Sequence, residues 1–164
     1  MIAEKCSCMK FRFYQLLYVA TLVLTVLALV EPVASFTSTE GALSVMSNFK
    51  YTDLATGNTS YSVVALGVVL IFTGIVSLLS LFLSFYSNFE LQKRTTILTM
   101  LLFAGYYILF LVYTLVLSDG ASLNLDVPML YPFFGITLNL FAFLLVRRQE
   151  AKIIAKALGF RLRD

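Results

Sequence analysis

The chain has 164 residues, of which 60% are apolar and only 13% charged, and its mean hydropathy is +0.90. This composition excludes an ordinary soluble domain and is typical of an integral membrane protein. The net charge of +3 is too small and too dispersed for nucleic-acid binding, so we expect no nucleic-acid partner. Because the chain has no histidine and only two cysteines, Cys6 and Cys8, we expect no metal site and no cofactor.

Four long apolar runs follow one another along the chain. Each is long enough, or nearly so, to cross a hydrocarbon layer of about 30 Å as a helix. They predict membrane spans at residues 13–30, 63–85, 97–117 and 130–146. The first run resembles a signal peptide in its basic flank, but it is long and has no good cleavage site after it. We therefore expect it to be retained as a span.

The segment between the first two runs, residues 31–61, is the one sizeable polar loop and is rich in Ser, Thr, Asn and Gly. Residues 42–46 and 49–52 alternate between apolar and polar side chains on either side of Ser47 and Asn48. This alternation is typical of two short strands joined by a turn. We expect a small β-hairpin that caps the helical bundle.

Polar side chains inside the spans are uncharged and form candidate packing or lining residues. In the second run, hydroxyl-bearing residues recur at spacings of four, three and four, which places them on one helix face. Small residues let membrane helices approach closely and form hydrogen bonds across the contact. We predict helix packing for this set, with a polar interior as the alternative: Thr73, Ser77, Ser80, Ser84, Tyr106, Tyr113 and Asn139. We expect the serines to accept hydrogen bonds from the tyrosines, and Asn139 to bond a neighbouring helix.

The last segment, residues 147–164, has the pattern of a basic amphipathic helix that continues beyond the fourth span. Such a helix either lies on the membrane surface or binds a soluble partner, and the sequence does not separate these two readings. The basic residues expected to make this contact are Arg147, Arg148, Lys152, Lys156, Arg161 and Arg163.

The charges predict the orientation of the chain. With four spans, residues 1–10, the hinge that contains Lys93 and Arg94, and residues 147–164 all lie on one side. Together with Arg12, just before the first span, they hold 11 of the 12 basic residues, and only Lys50 lies opposite. The positive-inside rule then places both termini in the cytoplasm and the polar first loop outside. The sequence thus predicts an all-α membrane protein with a four-transmembrane-helix bundle.

Several landmarks together resemble a known family. They are a start at residues 9–18 (MKFRFYQLLY), Pro32 after the first span, residues 89–94 (FELQKR) in the hinge, and a basic tail that ends with residues 160–163 (FRLR). This pattern is similar to the small bacterial proteins catalogued as domain of unknown function 4293. The resemblance implies a four-span inner-membrane bundle with a periplasmic first loop. It implies no activity, cofactor or catalytic residue. Claudin-like and tetraspanin-like proteins share the topology but rely on outer-loop cysteines, which this chain lacks.

Three classes of function compete. The uncharged spans and packing faces favour a structural or accessory subunit of an inner-membrane assembly that associates with lipids, with other membrane proteins or with itself. A small carrier or lipid-handling protein with a Ser, Tyr and Asn-lined interior is the alternative, whereas proton-coupled transport usually needs a charged group inside the membrane. No pair of nucleophile and base is recognisable, so we expect no enzymatic activity.

Overall fold

The computed structural model describes residues 13–37, 43–54, 56–86, 88–118 and 122–157. Within this part of the chain, four helices are long and apolar enough to cross a membrane. They are α1 (Phe13–Val30), α2 (Val64–Tyr86), α3 (Phe89–Ser118) and α4 (Tyr131–Ala157). The predicted helical bundle is confirmed in this respect, and the chain is a multi-pass membrane protein.

The helices form a ring in which α2 and α4 each pack against both α1 and α3. Large apolar side chains such as Phe72, Ile75 and Phe82 are exposed on the outside of this ring. Threonines and serines are buried inside it. This inverts the arrangement of a soluble bundle, as expected where lipid rather than water surrounds the helices.

The helix ends follow from local sequence. Pro32, which cannot continue a helix without losing a backbone hydrogen bond, lies two residues beyond the end of α1. Helix α3 begins at Phe89, well before the apolar run, because Glu90 suits the positive first turn and pairs with Arg94 one turn later at 3.4 Å. Helix α4 continues ten residues beyond Arg147, in line with the helical pattern of the basic tail.

The polar loops contain more regular structure than the single predicted hairpin. Five antiparallel strands form one sheet in the order β4-β3-β2-β1-β5. They are β1 (Ala34–Thr37), β2 (Leu43–Met46), β3 (Tyr51–Asp53), β4 (Thr59–Ser60) and β5 (Ser122–Leu125). The predicted hairpin corresponds to β2 and β3, while β5 comes from the loop after α3 and pairs with β1. The fold is therefore a helical bundle with a small sheet rather than purely α-helical.

The sheet covers one end of the bundle, which we call the sheet end; the opposite end, where α2 turns into α3, is the hinge end. Val33, Phe36 and Met46 from the sheet segment are fully or almost fully buried. They belong to one apolar cluster with side chains of α2 and α3, including Leu66 and Phe110. Burial of this apolar surface attaches the sheet to the helices.

Candidate functional site

The loop between β2 and β3 inserts into the bundle through one buried residue, Asn48. Its side-chain amide donates a hydrogen bond to the carbonyl of Ala28, near the end of α1. Its side-chain oxygen accepts one from the hydroxyl of Tyr106 in α3, at 2.9 Å. Its main-chain carbonyl accepts one from the N–H of Gly67 in the first turn of α2, at 2.9 Å. We call these four residues the Asn48 junction.

The junction provides hydrogen-bond partners for backbone groups at two helix ends. The last carbonyls of α1 and the first N–H groups of α2 have no partner within their own helices. Asn48 supplies a donor to the first helix and an acceptor to the second, and it is completely buried. A single loop residue thereby connects α1, α2 and α3 at the sheet end.

Gly67 permits the close approach of this loop. A Cβ atom added at Gly67 would overlap the ring of Phe49, the residue after Asn48. A larger residue at this position therefore requires the Phe49 ring to move, in contrast to Gly74 further along α2, where an added Cβ would meet only Thr25 Cγ2 at 3.8 Å.

Two further tyrosines hold the last helix to the sheet end. The hydroxyl of Tyr107 donates to the carbonyl of Met129 at 2.7 Å. The hydroxyl of Tyr131 donates to a carboxylate oxygen of Glu31 at 3.1 Å. These bonds fix the start of α4 relative to α3 and to the segment after α1.

The hydroxyl stripe of α2 faces the interior of the bundle. Thr73, Ser77, Ser80 and Ser84 are all buried. Thr73 and Ser80 donate to carbonyls of their own helix, at 2.8 and 3.0 Å, rather than across a helix contact. Among the described residues, the hydroxyls of Ser77 and Ser84 have no hydrogen-bond partner. The expected bonds from tyrosine to serine do not form, since Tyr106 is already bonded to Asn48.

Asn139 also differs from expectation. Asn139 is fully buried, but its amide donates to the carbonyl of Gly135 in the same helix at 2.8 Å, and its Oδ1 has no partner among the described residues. Helical geometry brings the carbonyl four residues back within reach of a short polar side chain, so the bond stays within α4. Tyr113 is only partly buried, against the apolar cluster at the sheet end.

The hinge end has its own buried polar group, which the sequence did not indicate. The hydroxyls of Tyr18 in α1 and Thr96 in α3 are 2.6 Å apart and share a hydrogen bond across the bundle. Gln92, one turn before Thr96, is completely buried beside the Tyr18 hydroxyl, and neither polar atom of its carboxamide forms a hydrogen bond of good geometry within the described ranges. With Ser77 and Ser84, it makes the hinge-end half of the interior polar and incompletely hydrogen-bonded.

An ion pair joins α3 to α4 at the hinge end. The Nζ of Lys93 lies 3.0 and 2.9 Å from the two carboxylate oxygens of Glu150. The two side chains are only 24% and 26% exposed. The pair fixes the part of α4 that extends past the fourth apolar run.

A cavity of about 330 Å³ lies beside this extension. Its walls come from the first described turn of α1 and from the last apolar and first basic residues of α4. The lining residues are Phe13, Tyr14, Leu145, Arg148, Gln149 and Lys152. Two of the six predicted basic contact residues therefore line a concave site rather than a flat surface.

The other predicted basic residues are placed differently. Arg147 lies over the ring of Phe143, 6.0 Å from its centroid. The side chain of Lys156 and all of Arg161 and Arg163 lie outside the described residues, as do Cys6 and Cys8. Within the described residues, no group of three or more His, Cys, Asp or Glu side chains is arranged to hold a metal ion.

The most connected residue, Asn48, was predicted only as part of a turn. One signal was present in the sequence: a glycine near the start of an apolar run, Gly67, is typical of a position that another chain segment approaches closely. Nothing in the sequence indicated that the approaching segment is the hairpin loop.

No curated protein matches the chain. A family model described as a domain of unknown function, DUF4293, matches residues 14–156, which include the sheet and the four apolar helices except for the first residue of α1 and the last residue of α4. The resemblance seen in the sequence landmarks is thus confirmed, and the chain belongs to the DUF4293 family.

Proposed function

We propose that the protein is a structural or accessory subunit of an assembly in the bacterial inner membrane, with no catalytic activity of its own. In this proposal both termini are cytoplasmic and the sheet lies in the periplasm. The supporting charge pattern is one-sided: Lys93, Arg94, Arg147, Arg148 and Lys152 lie at the hinge end. Reporter fusions at the two ends of the chain test the orientation, and opposite locations of the two reporters would contradict it.

The observation that carries the proposal is the continuous extension of α4 beyond the fourth apolar run. The helix is continuous from Tyr131 to Ala157, and the pair between Lys93 and Glu150 fixes its extension to α3. Ile153 and Ile154 on this extension are half-exposed, beside basic side chains. Exposed apolar residues on a basic helix are a typical docking surface for another protein.

The rest of the structure supports the same proposal. The described polar side chains at the sheet end, including Asn48, Tyr106, Tyr107 and Tyr131, hold structural elements together. These hydrogen bonds keep the protein in one conformation before it binds a partner, which lowers the entropic cost of binding.

The test is site-specific photocrosslinking in native membranes. A photoreactive amino acid at Ile154 is expected to capture a defined protein, whereas the same amino acid at Ile108, an exposed residue near the middle of α3, is expected to give only lipid or diffuse products. The same diffuse products from both positions, together with a strictly monomeric protein in mild detergent, would contradict the proposal.

The incomplete hydrogen bonding of the interior favours one alternative, a small carrier for uncharged polar solutes. Buried polar groups without partners are costly unless water or a ligand satisfies them. Ser77, Ser84, Gln92 and the Oδ1 of Asn139 are such groups among the described residues. Ser80 and Tyr106, also part of the expected lining, already have partners.

Solute-uptake measurements in reconstituted vesicles test the carrier. A carrier is expected to speed the entry of a small polyol such as glycerol, and Gln92→Leu is expected to remove this effect while Leu91→Ala, at an exposed neighbouring position, retains it. Entry at the rate of protein-free vesicles would exclude the carrier for this class of solute.

A further inference from the structure

The cavity at the hinge end has an unbalanced positive charge. Arg148 and Lys152 are four residues apart on α4, so their side chains lie on the same helix face. Neither forms an ion pair with an acidic residue in the described part of the chain. The nearby acidic residue Glu150 is engaged by Lys93 through both of its oxygens. Two cations that share one concave site, with no acidic partner among the described residues, favour an anionic ligand.

The cavity also has an apolar part, to which both helices contribute. It contains Phe13 of α1, which is 68% exposed, and Leu145 of α4, one turn before Arg148; the buried Tyr14 of α1 completes the lining. Phe13 is the first residue of the first apolar run, and Leu145 is the next to last residue of the fourth. The cavity therefore lies at the depth where hydrocarbon gives way to head groups. A ligand that fills it has a charged part toward Arg148 and Lys152 and an apolar part toward Phe13 and Leu145.

A further polar group of the lining, Gln149, restricts which lipid head group fits the cavity. The Oε1 of Gln149 is buried and has no partner among the described residues. This oxygen accepts a hydrogen bond from a hydroxyl or an ammonium group. An ammonium group is disfavoured here, since Arg148 and Lys152 already line the site. A hydroxyl group carried next to a phosphate satisfies both the cations and the amide.

We propose that this cavity is a binding site for an anionic glycerophospholipid with a hydroxylated, uncharged head group, as in phosphatidylglycerol. Arg148 and Lys152 bind the phosphate, Gln149 accepts a hydrogen bond from the head-group hydroxyl, and the acyl chains leave along Phe13 and Leu145. Basic pockets between membrane helices are established sites for anionic head groups in general. The site is independent of the proposed partner-binding role of Ile153 and Ile154.

Lipid retention by the full-length protein, measured by native mass spectrometry after addition of a single lipid, tests the proposal. Wild-type protein is expected to retain one phosphatidylglycerol at least about tenfold more strongly than phosphatidylcholine, since each basic residue near a head group contributes about 1 kcal/mol. Replacing both cations, Arg148→Gln with Lys152→Gln, is expected to lower the affinity about 10- to 30-fold.

A matched control removes the same charge from the same end of the molecule. Arg94→Gln with Arg147→Gln removes two cations that do not line the cavity, and it is expected to change the affinity less than about threefold through the surface potential alone. Equal losses in the two double variants would overturn the site, because only the overall charge would then matter.

The hydroxyl contact has its own test. Wild-type protein is expected to prefer phosphatidylglycerol over phosphatidylmethanol, which has the same charge but no head-group hydroxyl, by about fivefold, the effect of one hydrogen bond. Gln149→Leu is expected to bind the two lipids equally. A preference that survives in Gln149→Leu would overturn the role given to this residue.

A fluorescence measurement keeps the test valid if the charge variants fold poorly. The chain has no tryptophan, so Phe13→Trp introduces a single reporter at the cavity. Phosphatidylglycerol with brominated acyl chains is expected to quench it more strongly than brominated phosphatidylcholine at equal concentration. Equal quenching, or displacement of the lipid by soluble glycerol phosphate at the same concentration, would overturn the assignment to a lipid.

Discussion

The side chains of Asn48 and Tyr106 meet at 2.9 Å although 58 residues separate them in the sequence. One belongs to a loop of the sheet and the other to α3. Because Asn48 also bonds the end of α1 and the start of α2, this contact lies where three helices and the sheet converge. Its removal is expected to affect the attachment of the whole sheet rather than one local bond.

The first prediction concerns Asn48→Ala. The substitution leaves the carbonyl of Ala28 and the hydroxyl of Tyr106 buried without partners. Each such loss costs about 1–3 kcal/mol, so the free energy of unfolding is expected to fall by about 2–6 kcal/mol. Unfolding in mixed micelles with increasing SDS measures this change. Asn58→Ala, in the exposed turn before β4, serves as the control and is expected to change stability little.

The second prediction separates the contribution of the Asn48–Tyr106 hydrogen bond to stability from that of side-chain packing. Tyr106→Phe removes only a hydroxyl and is expected to cost about 1–2 kcal/mol, while Tyr113→Phe on the same helix is expected to cost much less. The double variant of Asn48→Ala and Tyr106→Phe is expected to lose less stability than the sum of the losses in the two single variants, by about 1 kcal/mol or more. Simple additivity would show that the two side chains do not interact.

The third prediction uses two glycines of α2 that differ in their surroundings. Gly67→Ala forces the Phe49 ring away from α2 and is expected to destabilise the protein by about 1–3 kcal/mol. Gly74→Ala meets only an ordinary van der Waals contact and is expected to be neutral or slightly stabilising, because alanine is the better helix former. Thermal unfolding in detergent compares the two variants.

A second variant tests whether overlap with the Phe49 ring causes the loss of stability in Gly67→Ala. In the background of Gly67→Ala, Phe49→Ala removes the ring that the new methyl group meets. The double variant is expected to lose less stability than the sum of the two single losses. A strictly additive result would mean that Gly67 matters for another reason, such as backbone conformation.

The helices were predictable because the physical signal is local. A charge-free run of about 20 residues has few alternatives to a membrane helix, and the four apolar helices lie where the runs lie. The strands were harder to predict. Strand β5 is only four residues long and pairs Ser122 with Thr37 across most of the chain, so no local pattern indicates its partner.

The interior contacts were predicted least well. The periodicity of α2 predicted that the hydroxyl stripe from Thr73 to Ser84 shares one helix face, and these side chains are buried. It did not show which partner each hydroxyl would choose, because a carbonyl of the same helix competes with any neighbour. The buried state of Gln92 was missed for a related reason, since it lies in a polar hinge sequence that is normally exposed.

The fourth prediction concerns the ion pair that fixes the extension of α4. Lys93→Glu and Glu150→Lys each place two like charges together and are expected to destabilise the protein modestly, by about 1 kcal/mol. The double variant restores an opposite-charge pair and is expected to recover most of this loss. Because the side chains are partly exposed, all three effects are expected to shrink at high salt.

The fifth prediction compares two serines of the same helix face. Ser80 donates a hydrogen bond to the carbonyl of Val76 at 3.0 Å, while the hydroxyl of Ser77 has no partner among the described residues. Ser80→Ala therefore loses a bond and is expected to cost about 0.5–1 kcal/mol. Ser77→Ala removes an unsatisfied buried hydroxyl and is expected to be neutral or stabilising by up to about 1 kcal/mol.

The sign of the Ser77 effect also distinguishes the two proposed functions. In a dry interior, as in a scaffold, the unpaired Ser77 hydroxyl lowers the stability of the folded protein, so its removal stabilises the protein. A water-filled or ligand-filled interior satisfies the hydroxyl, and Ser77→Ala then destabilises the protein about as much as Ser80→Ala. SDS-induced unfolding of the two variants, measured side by side, decides between these outcomes. Equal destabilisation would favour the carrier over the structural subunit.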